Sequence, residues 1–227
     1  MVIPAQGAFL ADRGGRAIDW DYLVARKPAV LKHSTLPPYL LLPEIRALLA
    51  VVHHANHRLL LSTLWHTGGR VSEVLALTPA SFELDPRGSY VSMTTLKQRG
   101  RPKRGAVASR PARMIPVTDA VYLRELMSYF ATHGTKRHER IFPITRHAAG
   151  KRLQVAAALL RDAGGPDYVG MISPHTFRHS FAVNAILHGI PLTVVQAWLG
   201  HSTLASTAIY TQVLAAETGH LMQWVEF

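Results

Sequence analysis

Only two short stretches of this chain carry the residue choice of strands, and they bracket a basic tract. Ser89 to Leu96 and Ala112 to Val117 are rich in β-branched, aromatic and apolar residues, whereas the stretch from Lys97 to Arg110 is rich in Arg, Lys, Gly and Pro. Two such runs joined by turn-forming residues pair as an antiparallel hairpin with a long, positively charged connection. Elsewhere the apolar residues recur at helical spacing. The expected fold class is therefore mixed α/β (α+β), a mainly helical domain with one small antiparallel β-sheet.

Residues 1–41 read as an N-terminal arm with at most a short helix around Trp20 to Ala25, because no period is sustained there. The texture changes at Pro43, and residues 42–227 read as the main domain with a C-terminal tail. Pro43 and Glu44 supply the proline and the acid that suit a first helical turn. A second helix, Asn56 to His66, stops at Gly68-Gly69. Val71, Val74 and Leu75 then give a short helix that ends before Thr78-Pro79. Beyond the hairpin, helices are expected over Asp119 to Thr132, Ala148 to Ala163, Pro174 to His188 and Leu192 to Leu199. A last helix is expected from Thr203 past Tyr210.

Charge narrows the partners. The 25 Lys+Arg against 14 Asp+Glu give a formal net charge of +11, so a polyanion comes first. No run of some 18 apolar residues is present, and Met1 to Arg13 lacks the features of a signal peptide, which favours nucleic acid over a membrane. The chain has no cysteine. That removes disulfides, thiolate nucleophiles and cysteine-based zinc sites, and it is compatible with a reducing cytoplasm.

Three constellations carry chemistry. Ser173-Pro174-His175-Thr176-Phe177-Arg178 reads as an N-cap, a proline at the first helical position, and then His175 and Arg178 on one face of the first turn. A helix start already favours anions, and an Arg fork beside an imidazole makes a phosphate site; two ordinary surface residues are the alternative. His175 and His179 have the i, i+4 spacing of a zinc helix, but the glutamate such a helix needs is absent, so no metal is expected. Arg70 opens a helix after Gly68-Gly69, with Glu73 one turn on to orient it or simply to pair with it. Two arginines from different helices can grip both non-bridging oxygens of one phosphodiester and bind the transition state better than the ground state. Finally, Lys97, Arg99, Arg101, Lys103, Arg104, Arg110 and Arg113 follow one another with no acid among them, a solvated loop or a finger along a nucleic-acid backbone.

The order Arg70, Lys97, His175-x-x-Arg178, Gly200-His201, Tyr210 resembles the tyrosine recombinase (phage integrase) family, which includes Xer-type recombinases and plasmid resolvases. The matching segments are Thr67 to Leu77, Pro174 to Ala182, Leu199 to Thr203 and Ile209 to Thr211, within a resemblance spanning about Leu42 to Val213. It implies a site-specific recombinase in which Tyr210 attacks a DNA phosphate to form a 3′-phosphotyrosyl link. Arg70, Arg178 and His201 would hold the non-bridging oxygens, and His175 would take or orient the tyrosine proton. Lys97 would protonate the leaving 5′-oxygen, with Lys103 as the alternative, and Glu73 would support Arg70. Arg99, Arg101, Lys103 and Arg104 would contact DNA. Neither ATP, cofactor nor metal is implied. The partners implied are double-stranded DNA, further copies of the chain (a dimer on a site and a tetramer in synapsis) and accessory DNA-binding proteins, in the cytoplasm at the nucleoid.

Two departures accompany the resemblance. The arm is too short for the complete core-binding domain that most members carry. The apolar residues after Tyr210, from Val213 to Phe227, suit either docking on a neighbouring subunit or packing on their own domain. Two other functions compete: a non-catalytic regulator using Leu192 onward as a helix-turn-helix, and type IB topoisomerase-like strand relaxation.

Overall fold

The computed structural model describes residues 18–85, 87–95, 112–165 and 172–214. The first element is longer than the sequence implies. Helix α1 runs over Trp20–His33, with the Asp19 side chain accepting from the Tyr22 amide at 2.9 Å. Pro28 lies inside it. A proline there costs about 3 kcal/mol, but Leu23 is buried and Val24, Val30 and Leu31 pack beside it. Each such burial stabilises by roughly 1.5–3 kcal/mol, so packing outweighs the break. The helix ends where Ser34 turns extended, ahead of Pro37-Pro38.

A buried ion pair ties α1 to the helix that follows it, α2 (Leu42–Ala50). Lys27, 4% exposed, pairs with the Glu44 carboxylate and donates to the Tyr39 carbonyl at 3.4 Å. The other Glu44 oxygen accepts from the Leu41 amide at 2.7 Å, closing the start of α2. One carboxylate thus neutralises a buried ammonium and satisfies a backbone donor at a helix end.

Helix α3 (Ala55–Thr67) ends at Gly68, whose φ of +56° is the left-handed cap geometry. A Cβ at Gly68 would lie 2.4 Å from the Phe181 ring, so the turn requires glycine twice over. The one-turn helix α4 (Val71–Val74) follows. The sheet then forms as expected, with β2 (Ser89–Thr94) antiparallel to β3 (Ala112–Val117) in a register from Ser89↔Val117 to Thr94↔Ala112. A third strand, β1 (Phe82–Glu83), adds to β2 and was not foreseen, because two residues carry no readable alternation.

Helices α5 (Ala120–His133), α6 (Arg146–Asp162), α7 (Pro174–Leu187) and α8 (Leu192–Leu199) fall where helical spacing places them. The expected last helix does not run through Tyr210. It is one turn, α9 (Ala205–Ala208), continued by a 3-10 segment over Ile209–Val213. The Thr211 hydroxyl donates to the Ala208 carbonyl at 2.7 Å, a local bond that competes with α-helical pairing.

Two apolar clusters meet along α7. One joins the sheet's inner face (Val91, Met93, Ile115, Val117) to α2, α3, α5 and α6. The other joins Leu23, Leu36, Tyr39 and Leu41 to α7, α8 and Tyr210. Residues 20–41 therefore share a core with the segment that bears Tyr210. Thr35 and Gln212 add hydrogen bonds across that contact, the Thr35 amide donating to Gln212 Oε1 at 3.0 Å and Gln212 Nε2 donating to the Thr35 hydroxyl at 2.9 Å.

Removing one partner of the Lys27–Glu44 pair would strand a buried charge. Glu44→Ala is expected to lower unfolding free energy by about 3 kcal/mol or more, read as a drop in urea midpoint, whereas the double variant Lys27→Met, Glu44→Met recovers most of that loss. An unchanged midpoint in the single variant would contradict the role given to the pair.

Candidate active site

The site forms where three helix ends converge. Arg70 sits at the N-cap of α4, one residue after the Gly68-Gly69 turn, and its NH1 donates to Glu73 Oε1 at 3.0 Å. Glu73 is 3% exposed, and its second oxygen accepts from the Arg70 amide at 3.0 Å and from Arg113 NH2 at 2.6 Å. Burial alone would push this carboxyl up, but the bonds and charges of Arg113 and Arg70 hold it below the usual carboxylate value. Arg113 reaches on to the carbonyl of Trp198 with Nε at 2.7 Å. One chain of contacts therefore runs from Arg70 through Glu73 and Arg113 to the end of α8.

A second chain is built on Arg178. Ser173 caps α7, its hydroxyl accepting from the Thr176 amide while Thr176 Oγ1 accepts from the Ser173 amide. Arg178, one turn in, is 3% exposed, yet its NH1 donates to the Gly68 carbonyl at 2.9 Å and its NH2 to the Leu199 carbonyl at 2.7 Å. These carbonyls end α3 and α8, where the helix dipoles are negative. Burial, together with nearby Arg70 and Arg113, brings the guanidinium down to about 10, so it stays charged at neutral pH. Each bond uses one N–H of a terminal nitrogen that carries two.

His201 follows Gly200, whose φ of +65° caps α8 in the left-handed region. Its Nδ1 lies 2.8 Å from the hydroxyl of fully buried Thr207. Burial first, then Arg178, Arg70, His179 and Arg113, lower its pKa to about 4, which leaves a neutral ring at pH 7. Tyr210 is 2% exposed, and its hydroxyl lies 2.7 Å from Nδ1 of His179. Burial raises the phenol above its ordinary value, and the charge of Arg178 opposes that without reversing it.

The structure thus brings Arg70, Glu73, Arg178, His201 and Tyr210 into one electrostatically connected cluster. His175 is exposed on the first turn of α7, its ring 6.3 Å from that of His179 between centroids. The ring nitrogen within hydrogen-bond distance of the Tyr210 hydroxyl belongs to His179, the next histidine along α7. Lys97, Arg99, Arg101, Lys103 and Arg104 lie outside the described residues.

Three residues of the site escaped the sequence reading. Arg113 shows in the sequence as one of a basic run, although strand alternation with buried Ile115 and Val117 places it on the inner face. His179 shows in the sequence only the spacing of a metal ligand; among the described residues, no three His, Cys, Asp or Glu side chains group in a way that could hold an ion. Thr207 had no signal, since its partner comes from a turn six residues back.

Comparison with known proteins places this arrangement. Residues 39–217 match the model of the phage integrase family. A resolvase of Escherichia coli is 36% identical over 217 residues, covering 88% of this chain and 83% of its own length. The tyrosine recombinase XerD of Corynebacterium glutamicum is 31% identical over 199 residues, covering 83% of this chain and 60% of its own. In fold, the chain is similar to XerH site-specific recombinase, solved bound to its difH substrate as a pre-cleavage complex. That match has a TM-score of 0.61 at 22% identity and spans 84% of this chain but 54% of XerH.

Because the folded Glu73 carboxyl lies below its unfolded value, it contributes stability that is present above the unfolded carboxylate range and is lost as pH falls through the folded value. Glu73→Gln is therefore expected to be least stable relative to wild type at neutral pH. The gap should narrow from about pH 6 to about pH 3 in urea titrations. A gap independent of pH would contradict the ion network.

Proposed function

The chain belongs to the phage integrase family and is a tyrosine site-specific recombinase, and from that premise we propose that it cleaves and rejoins double-stranded DNA through a bond between Tyr210 and a 3′-phosphate. The observation that carries this reading is the double bracing of the two arginines. Arg70 and Arg178 come from different helices yet are fixed to the same two turns, around residues 68–70 and 198–200.

A phosphodiester placed between them would meet guanidinium donors on both non-bridging oxygens. Charge grows on those oxygens as phosphorus becomes pentacoordinate, so donors already held in place favour the transition state without reorganising. His201 would add a neutral donor: with the Thr207 hydroxyl donating to Nδ1, the ring carries its proton on Nε2 and can give it to phosphate. Tyr210 would attack in line and the 5′-oxygen would leave, with Lys97, or Lys103 in its place, supplying the proton. The phosphotyrosyl ester conserves the energy of the bond it replaces, so rejoining needs no ATP. The cationic side chains can neutralise the developing charge without a metal ion.

Arg99, Arg101, Lys103 and Arg104 would follow the DNA backbone as positioning contacts, and His175 would face DNA from the exposed first turn of α7. Exchange between two sites requires four strand cleavages, which calls for a dimer on each site and a tetramer in synapsis. Accessory DNA-binding proteins would set the outcome. No helix among the described residues is long and apolar enough to cross a membrane.

The test is to trap the covalent intermediate. Nicked duplexes tiled from DNA flanking the chain's own gene would be incubated with protein and chelator, then denatured and run on a gel. A protein–DNA band that survives denaturation and is absent with Tyr210→Phe is expected. DNA retention with no such band across the tiled set would overturn the proposal in favour of binding without catalysis.

A further inference from the structure

The hydroxyl of Tyr210 is the group that must lose a proton, and it lies against a ring nitrogen of His179. Resting on the recombinase reading above, we propose that His179 is the residue that receives the Tyr210 proton and aims its oxygen, through the direct contact between its Nδ1 and the tyrosine hydroxyl.

Four observations converge. The contact is 2.7 Å, the length of a good hydrogen bond, and joins α7 to the 3-10 segment 31 residues away. Both rings are held: Tyr210 is 2% exposed within the second apolar cluster, and His179 lies on the helix whose start is fixed by the Ser173–Thr176 reciprocal cap and by the Arg178 clamp. Burial keeps the phenol protonated, so it needs an acceptor before it can attack. Burial, His175 and Arg178 keep His179 neutral, with its pKa lowered to about 4, so Nδ1 has a lone pair to offer at pH 7 when the ring proton sits on Nε2.

The proton balance is simple. As the Tyr210 oxygen bonds to phosphorus, its proton passes to His179 Nδ1, and the ring becomes a cation. The P–O5′ bond breaks, and the 5′-oxygen takes a proton from the lysine of the basic connection. Rejoining runs the same transfers backward, with the His179 cation returning its proton to the tyrosine. The charged and titratable groups facing His179 are Arg178 and His175 on α7, His201 from the turn after α8, and Tyr210 itself. Burial and the charge of Arg178 hold the charged state of His179 high in energy, which drives return of the proton. His175, exposed with its ring stacked at 6.3 Å, gives the buried pair a neighbour at the surface.

The closing experiment separates the two proton transfers. At the cleavage position mapped by the trapping assay, one duplex carries the natural 5′-bridging oxygen and a second carries sulfur there, a leaving atom that needs no protonation. Rates of covalent adduct formation are measured from about pH 6 to about pH 9 for wild type, His179→Phe, His179→Asn and Lys97→Ala. His179→Phe keeps a ring of similar bulk but offers no acceptor. It is expected to slow adduct formation by about 100-fold or more at neutral pH on both duplexes, and to regain rate as rising pH supplies phenolate directly. His179→Asn, which restores a polar acceptor near Nδ1, should lie between it and wild type, and sulfur should rescue Lys97→Ala alone.

Wild-type rates in His179→Phe would overturn the assignment. So would a loss independent of pH, which marks a purely structural defect, or a loss relieved by sulfur, which places His179 on the leaving-group side. If no position in the tiled DNA ever yields a wild-type adduct, the recombinase reading itself falls and takes this assignment with it.

Discussion

The structure depends on a buried cation satisfied by backbone. Arg178 is almost wholly removed from water, and leaving such a charge unpaired would cost several kcal/mol. It is offset by two carbonyls, those of Gly68 and Leu199, at the negative ends of two helices. Those carbonyls are free to accept because both helices end at glycines in the left-handed region, Gly68 and Gly200. The same two turns deliver Arg70 and His201. Fixing one guanidinium therefore fixes the residues on either side of it, and Glu73 with Arg113 ties the turns together a second time.

That double connection explains why the cluster can be rigid although its members come from distant parts of the chain. A phosphate held between Arg70 and Arg178 would meet donors already in position, which is what a reaction with charge building on oxygen requires. The nucleophile is treated differently. Tyr210 belongs to a short 3-10 segment packed against residues 20–41, with Thr35 bonded to Gln212 two residues further on. Helix α1 thus contributes to the core beneath the tyrosine, so residues 20–41 are part of the site's foundation.

Much of this was legible from the residues. The hairpin showed because its strands are β-branched, aromatic and apolar and its connection is not. Helix α7 showed because Ser173-Pro174 is a strong start signal, and α8 because Gly200 stops it. Arg70 and Arg178 stood out by residue type and by their places at helix starts, whereas His201 and Tyr210 stood out only through the resemblance to the tyrosine recombinase family. What escaped depends on contacts between distant segments. No sustained period marks the first helix beyond Ala25, and only burial and the Lys27–Glu44 pair, 17 residues apart, carry that helix to His33. Arg113 looked like one more loop cation until its strand partner and Glu73 placed it inward. The choice between His175 and His179 turns on which ring meets an oxygen 31 residues away, and spacing along one helix cannot supply that.

The central claim is a covalent bond at one named atom, with one DNA polarity. Protease and nuclease digestion of the trapped complex, followed by mass spectrometry of the surviving peptide and end-labelling of the released strand, reads both at once. The account predicts a nucleotide joined through its 3′-phosphate to Tyr210 and a free 5′-hydroxyl on the cleaved strand. A nucleotide on any other residue, or one attached through its 5′-phosphate, would contradict it.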